Sequence, residues 1–138
     1  GAGFRGRKNG RGFYVYRAEA RSGGSKEVDR EVYAFFGGAE RTPMRGADLA
    51  DRLVLLMVNE AIWCLQEGVV ASPRDADAGA VLGLGFPPFR GGPFRWVDAV
   101  GAAEVVGRME RLRKRHGKRF TPAPLLLEAA RAGRPFHG

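Results

Sequence analysis

Residues 47–68 read Ala47-Asp48-Leu49-Ala50-Asp51-Arg52-Leu53-Val54-Leu55-Leu56-Met57-Val58-Asn59-Glu60-Ala61-Ile62-Trp63-Cys64-Leu65-Gln66-Glu67-Gly68. Leu49, Leu53, Leu56, Met57, Glu60, Ala61, Cys64 and Leu65 recur at the i, i+3, i+4 spacing of one helix face, which predicts a helix from Ala47 to Glu67. Val54, Val58 and Ile62 widen the stripe, so the helix should be buried on more than one side. Gly68 stands where a left-handed residue commonly ends a helix. At 1.5 Å per residue the helix is about 30 Å long, enough to run through a whole domain. Asn59 and Glu60 are the polar pair in its middle. Glu60 falls on the stripe with Leu53, Met57 and Cys64, and a buried carboxylate needs hydrogen-bond donors.

Those donors are sought downstream. Val81-Leu82-Gly83-Leu84-Gly85-Phe86-Pro87-Pro88-Phe89-Arg90-Gly91-Gly92-Pro93-Phe94-Arg95 holds four glycines and three prolines among six apolar side chains. Loops that rich in Gly and Pro are usually polar. An apolar one is expected to be pressed into a core or held against a partner, with its N–H and C=O groups satisfied by neighbours. The expectation is that Glu60 accepts from the N–H groups between Gly83 and Gly92 and pins the loop to the long helix. Arg90 and Arg95 are the only charges in the stretch, too few for a phosphate cradle.

The rest of the C-terminal half is punctuated the same way. Ser72 is an N-cap, Pro73 fits the first helical position and Asp75 completes a capping box and suits the helix dipole. That helix should end at Gly83 or Gly85. Pro93 starts a short helix through Val100, and Gly101 ends it. A further helix runs from Ala102 to His116 with Val105, Val106, Met109 and Leu112 inward, and Gly117 stops it. Thr121-Pro122 repeats the Ser-Pro start for a last helix containing Leu125, Leu126, Leu127 and Ala130, closed by Gly133. The expected fold is therefore all-α: a long central helix with about four shorter helices packed on it, preceded by an extended N-terminal arm.

The N-terminal third is sparser. Gly1-Ala2-Gly3-Phe4-Arg5-Gly6 formally matches G-x-G-x-x-G, but no strand precedes it and no helix follows, so it carries no weight as a dinucleotide fingerprint. Phe13-Tyr14-Val15-Tyr16 reads as a short extended arm with no evident pairing strand. Residues 17–46 read as a linker, flexible around Arg21-Ser22-Gly23-Gly24-Ser25-Lys26. One or two helical turns are expected from Val28 to Phe36, with Val32, Phe35 and Phe36 on one face, stopped by Gly37-Gly38.

The bulk properties bound the function. The 138 residues suit one domain, or one domain with an arm, and 21 glycines are about twice the usual share. The net charge of +8 suits a solvated basic surface, an acidic partner, a phosphate-bearing ligand or nucleic acid. Cys64, the single cysteine, permits no internal disulfide and reads as a buried structural thiol. No apolar run reaches membrane-spanning length, and no signal-peptide apolar region stands at the N-terminus.

No catalytic constellation is evident. His116 and His137 have no carboxylate or nucleophile at a telling spacing, and His116 is explained by dipole complementation at a helix end. One cysteine and no paired histidines make no metal set. Asp75 and Asp77 fit first-turn positions. Residues 108–119 contain seven Lys and Arg and one acid, Glu110. Val105, Met109 and Leu112 alternate with those charges as an amphipathic core helix requires, so a solvated or domain-docking face is favoured over nucleic acid.

Several stretches together resemble one family. Val58-Asn59-Glu60-Ala61 with Cys64-Leu65-Gln66-Glu67-Gly68, Asp75-Ala76-Asp77-Ala78-Gly79-Ala80-Val81 through Gly92-Pro93-Phe94-Arg95-Trp96-Val97-Asp98, and Phe120-Thr121-Pro122-Ala123-Pro124-Leu125-Leu126 resemble the second 3-hydroxyacyl-CoA dehydrogenase helical repeat of the fatty-acid β-oxidation α-subunit family. Gly6-Arg7-Lys8-Asn9-Gly10-Arg11-Gly12-Phe13-Tyr14-Val15-Tyr16 resembles the segment that closes the preceding repeat. The resemblance implies a 6-phosphogluconate dehydrogenase C-terminal-like fold, with residues 1–16 as the tail of the first repeat, 17–46 as linker and 47–138 as the second. It implies a multifunctional parent with enoyl-CoA hydratase and NAD-dependent 3-hydroxyacyl-CoA dehydrogenase activities. NAD would be held by the parent's other domain and no cofactor by this fragment. Implied partners are the sister repeat, the NAD-binding domain, indirectly the acyl-CoA substrate, and a thiolase subunit, with no membrane span and no nucleic acid. The implied compartment is the bacterial cytoplasm, with the mitochondrial matrix as the alternative.

Where the first repeat of that family carries an Asn before an Arg at the start of its long helix, this sequence has Asp51-Arg52. No catalytic, cofactor-binding or metal residue is therefore carried over. Asn59, Glu60, Asp77, Gly83, Gly85, Pro87, Gly91, Gly92, Pro93 and Phe94 are expected to be structural or interface residues. The expected role is to pack on the sister repeat and shape the acyl-CoA cleft. The alternatives are a basic binding module for nucleic acid or another acidic partner, and a helical enzyme in its own right, which the missing constellation discourages.

Overall fold

The structure, a computed structural model, describes residues 3–16, 27–38, 40 and 43–138. The chain divides into two compact units, Gly1–Pro43 and Met44–Gly138.

In the first unit, β1 (Tyr14–Val15) pairs antiparallel with β2 (Glu27–Val28), Tyr14 opposite Val28 and Val15 opposite Glu27. The expected arm is thus a paired strand, and its partner lies in the stretch read as linker. Two-residue strands show no alternation, so the pairing leaves no period in the sequence. The Arg21–Lys26 segment lies outside the described residues. A 3-10 helix spans Arg30–Phe36, capped by Asp29, whose side chain accepts from Glu31 N, and ended by Gly37 in the left-handed conformation. Of its expected apolar face only Val32 is buried, while Phe35 and Phe36 are exposed. Phe4 meets Phe35 edge-on and Phe13 stacks on Phe36 at 6.0 Å. Arg11 Nε donates to Asp29 Oδ2 at 3.0 Å, and the guanidinium holds that carboxyl below its ordinary pKa.

The second unit is all-α. Its helices are α1 (Gly46–Gln66), α2 (Pro73–Leu84), α3 (Pro93–Val100), α4 (Ala102–His116) and α5 (Pro124–Ala132). Each of them ends where a glycine signal put it, at Gly68, Gly85, Gly101, Gly117 and Gly133. Ser72 Oγ accepts from Asp75 N at 3.1 Å, Pro73 opens α2 and Gly85 closes it with φ 73°. The core is built from one face of each helix: Leu55, Val58 and Ile62 of α1, Ala76 and Ala80 of α2, Phe94 and Val97 of α3, Val105, Met109 and Leu112 of α4, and Leu126 of α5. Phe86 and Phe120 plug it from the connections.

α1 departs from the expected facing. Its core stripe is Leu55, Val58 and Ile62: two of the residues read as widening the main stripe, with Leu55, which the reading left out, in place of the half-buried Val54. Leu49, Leu53, Met57 and Glu60 face outward, Leu53 at 65% exposure, and Cys64 is half-buried. A helix with two apolar faces does not reveal by periodicity which one its own chain covers.

Asn59 is the buried polar residue of α1. Its Nδ2 donates to Thr121 O at 3.0 Å and its Oδ1 accepts from Ala123 N at 2.9 Å. The long helix therefore holds residues 121–123 extended, and α5 starts at Pro124 with Ala123 as N-cap. That corrects the start at Thr121-Pro122: the Thr121 hydroxyl donates to Lys118 O instead of capping α5. Asn59→Ala leaves one buried N–H and one C=O unpaired, at roughly 1–3 kcal/mol each. Chemical denaturation of that variant should show a loss of about 2–4 kcal/mol; a loss under about 0.5 kcal/mol, the scale of an inert surface change, would contradict the bracing role.

Candidate functional site

The junction between α2 and α3 collects more of the singled-out residues than any other place. Ser72 and Pro73 fix where α2 begins, and this puts Asp77 on the face turned toward α3, where its side chain is buried. Asp77 Oδ1 accepts from Phe94 N at 2.7 Å and Oδ2 from Arg95 N at 3.1 Å. These are the second and third amides of α3, two of the four that no helix can satisfy itself. Asp77 thus caps α3 from a neighbouring helix, with its negative charge at the positive end of the dipole.

The residues before α3 make that cap possible. Gly92, the N-cap position, has φ 114° and no side chain to cap with. A Cβ there would lie 2.5 Å from Asp77 Cβ and Cγ, so only glycine lets the carboxylate approach. Pro93 has no N–H and needs no acceptor. Phe94 then drops fully buried into the core, which stabilises the unit by about 2–3 kcal/mol.

The C-terminal residues close the junction from the other side. His137 Nε2–H donates to Asp77 Oδ2 at 2.8 Å. Asp98, near the end of α3, accepts from Phe136 N at 2.7 Å and His137 N at 3.0 Å. The Phe136 ring meets Phe94 edge-on at 5.0 Å. Sequence reading missed this clasp. Phe136 and His137 sit outside any periodic element, and Asp98 looks like an ordinary polar residue on a short helix.

Glu60 is not the pin. It is exposed, and among the described residues it makes no hydrogen bond to the loop. Within the loop Phe86 N donates to Ala80 O, Arg90 N to Pro87 O and Gly91 N to Pro88 O, while Asp77 accepts from the two amides just past Pro93. Nor is the loop pressed into the core as a whole. Before its Gly92-Pro93-Phe94 end only Phe86 enters it, while Leu82 is 87% and Phe89 83% exposed. Gly83 lies unhindered within α2, Gly85 is its left-handed cap, and Pro87 precedes an exposed 3-10 turn, Pro88–Arg90, that Gly91 ends with φ 77°. The structure brings Asp77, Gly91, Gly92, Pro93 and Phe94 together. Asn59 is a second, separate brace.

The basic run is partly spent inside the chain. Arg108 pairs with Glu104 at 2.8 Å and approaches Asp51 at 3.5 Å, and Arg113 pairs with Glu110 at 2.8 Å. The Glu104 guanidinium partner lowers that carboxyl's pKa and is itself raised by it. Among the described residues no cluster of His, Cys, Asp and Glu could hold a metal, and no helix is long and apolar enough to cross a membrane.

Residues 49–136 match the family model described as 3-hydroxyacyl-CoA dehydrogenase, C-terminal domain. The chain belongs to the 3-hydroxyacyl-CoA dehydrogenase C-terminal-domain family. The matched residues run from Leu49 in the first turn of α1 to Phe136, the aromatic of the clasp, so the match includes Asp77, the start of α3 and Asp98. The chain is also 48% identical over 133 residues to the fatty acid oxidation complex subunit alpha of Shewanella amazonensis (strain ATCC BAA-1098 / SB2B), covering 96% of the chain. It spans about a fifth (19%) of that relative's length.

In this C-terminal domain, Asp77→Ala leaves one buried and one part-buried amide without acceptors and should cost about 3–5 kcal/mol. Gly92→Ala combines backbone strain with overlap and should cost about 3 kcal/mol or more. Denaturation curves for both, set beside Glu60→Ala as a near-neutral control, check the assignment. Equal losses for Glu60→Ala and Asp77→Ala would contradict it.

Proposed function

We propose that this chain is a non-catalytic helical part of a multifunctional fatty-acid β-oxidation enzyme, in which enoyl-CoA hydratase and NAD-dependent 3-hydroxyacyl-CoA dehydrogenase activities reside in other domains. Its role is to pack against the sister repeat and shape the acyl-CoA cleft beside the NAD-binding domain. The relative's name and the share of its length that the chain spans support a multidomain bacterial parent acting in the cytoplasm. NAD belongs to that parent, and a thiolase subunit is its proposed outer partner.

One observation carries the packing role. α1 seats Leu55, Val58 and Ile62 in its own core yet presents Leu49, Leu53 and Met57 outward. Outward apolar side chains four apart on a 21-residue helix form a stripe suited to a second helical layer. Apolar docking of this kind needs no catalytic group from the chain. The nucleic-acid reading is weaker, because Arg108 and Arg113 are engaged by Glu104 and Glu110.

The test uses two samples. The 138-residue chain alone should transfer no hydride from 3-hydroxyacyl-CoA to NAD. Leu53→Glu with Met57→Glu should leave that chain folded but lower the thermal stability and dehydrogenase activity of the full-length parent at least tenfold in rate. Turnover by the chain alone, or a full-length double variant indistinguishable from wild type, would overturn the proposal.

A further inference from the structure

Beside the Asp77 junction lies an open cavity of about 540 Å³, walled by three separate parts of the chain. α2 contributes Arg74, Asp77 and Val81, which their i, i+3, i+7 spacing puts on one helix face. Pro88 and Arg95 line it from the loop and the start of α3, and His137 from the C-terminal clasp.

The charges in this cavity are unbalanced. Arg74 and Arg95 have no carboxylate partner among the described residues. Asp77, the one acid, is already engaged: its two oxygens accept from Phe94 N, Arg95 N and His137 Nε2. Arg95 is also positioned, not merely present. Its backbone N–H is held by Asp77, and its Cβ lies so close under Gly91 that a Cβ on that glycine would stand 3.0 Å away. Two arginines with no carboxylate partner among the described residues therefore line a space whose remaining walls include Val81, Leu82 and Pro88.

We propose that this cavity binds a phosphate ester, with Arg74 and Arg95 on the phosphate oxygens and the apolar wall against the organic body. Guanidinium groups donate in a planar fork that matches phosphate oxygens. Two arginines against the single carboxylate of Asp77 leave the cavity net positive, which suits an anionic group. The volume falls in the range of about 300–1,000 Å³ typical of small-molecule pockets, so there is room for more than the phosphate. The inference is independent of the packing role of α1, since α2, α3 and the clasp form the site.

Amide NMR titrations of the 138-residue chain at fixed ionic strength test it, with phenyl phosphate, inorganic phosphate and benzoate as probes. Phenyl phosphate should give saturable shifts at Arg74, Val81, Arg95 and His137, and bind at least tenfold tighter than either other probe. Arg74→Gln and Arg95→Gln, both exposed positions, should each weaken it tenfold or more while the remaining spectrum stays folded. Benzoate binding as tightly as phenyl phosphate would overturn the phosphate assignment. Inorganic phosphate binding as tightly would overturn the role of the apolar wall. No saturation with any probe, or unchanged affinity in both folded variants, would overturn the site.

Discussion

The second unit depends on one carboxylate. Asp77 must give up water to sit buried between two helices, and it is stable there because three donors meet it: Phe94 N, Arg95 N and the His137 ring. Everything about the Gly-Gly-Pro-Phe-Arg stretch follows from that meeting. Gly92 leaves the space, Pro93 removes an amide that would have no acceptor, and Phe94 and Arg95 present the two amides that do. Once the amides are fixed, Phe94 has its direction into the core, and the aromatic contact with Phe136 brings the C-terminus home. An interaction of modest net worth thus decides the placement of larger apolar groups.

The same economy of parts shapes α1. Its buried polar residue, Asn59, braces the entry to α5 beside the core residues Leu55, Val58 and Ile62, while Leu49, Leu53 and Met57 face outward. A helix apolar on both its inner and outer faces suits the proposed packing against a second layer. This is the observation on which the proposed packing role of this member of the 3-hydroxyacyl-CoA dehydrogenase C-terminal-domain family rests.

Most of the helical framework was legible because its signals are local. Ser72, Pro73, Gly85, Pro93, Gly101, Gly117 and Gly133 act on their own backbone or on the next turn, so they mark boundaries without knowledge of the fold. The candidate site was legible only in part. The Gly/Pro loop announced that some buried acceptor had to exist, and Glu60, the carboxylate in the middle of the long apolar helix, was the wrong one. Glu60 and Asp77 are both acids within helical runs. What separates them is which face their helix turns to α3, and that is a tertiary fact. The β1–β2 pair and the Asp98 clasp were illegible for a related reason: two-residue strands and a terminal tail have no period, and their partners are distant in sequence, Val28 for Tyr14 and Phe136 for Asp98.

The most direct measurement of this account is amide hydrogen exchange at Phe94 and Arg95 in the intact chain. First-turn amides of a helix normally exchange fast, because no carbonyl of the same helix accepts from them. With Asp77 as their acceptor, both should be protected to the level of the α3 interior at Val97. Exchange of both amides at the rate of an open helix end, with Val97 still protected, would contradict it.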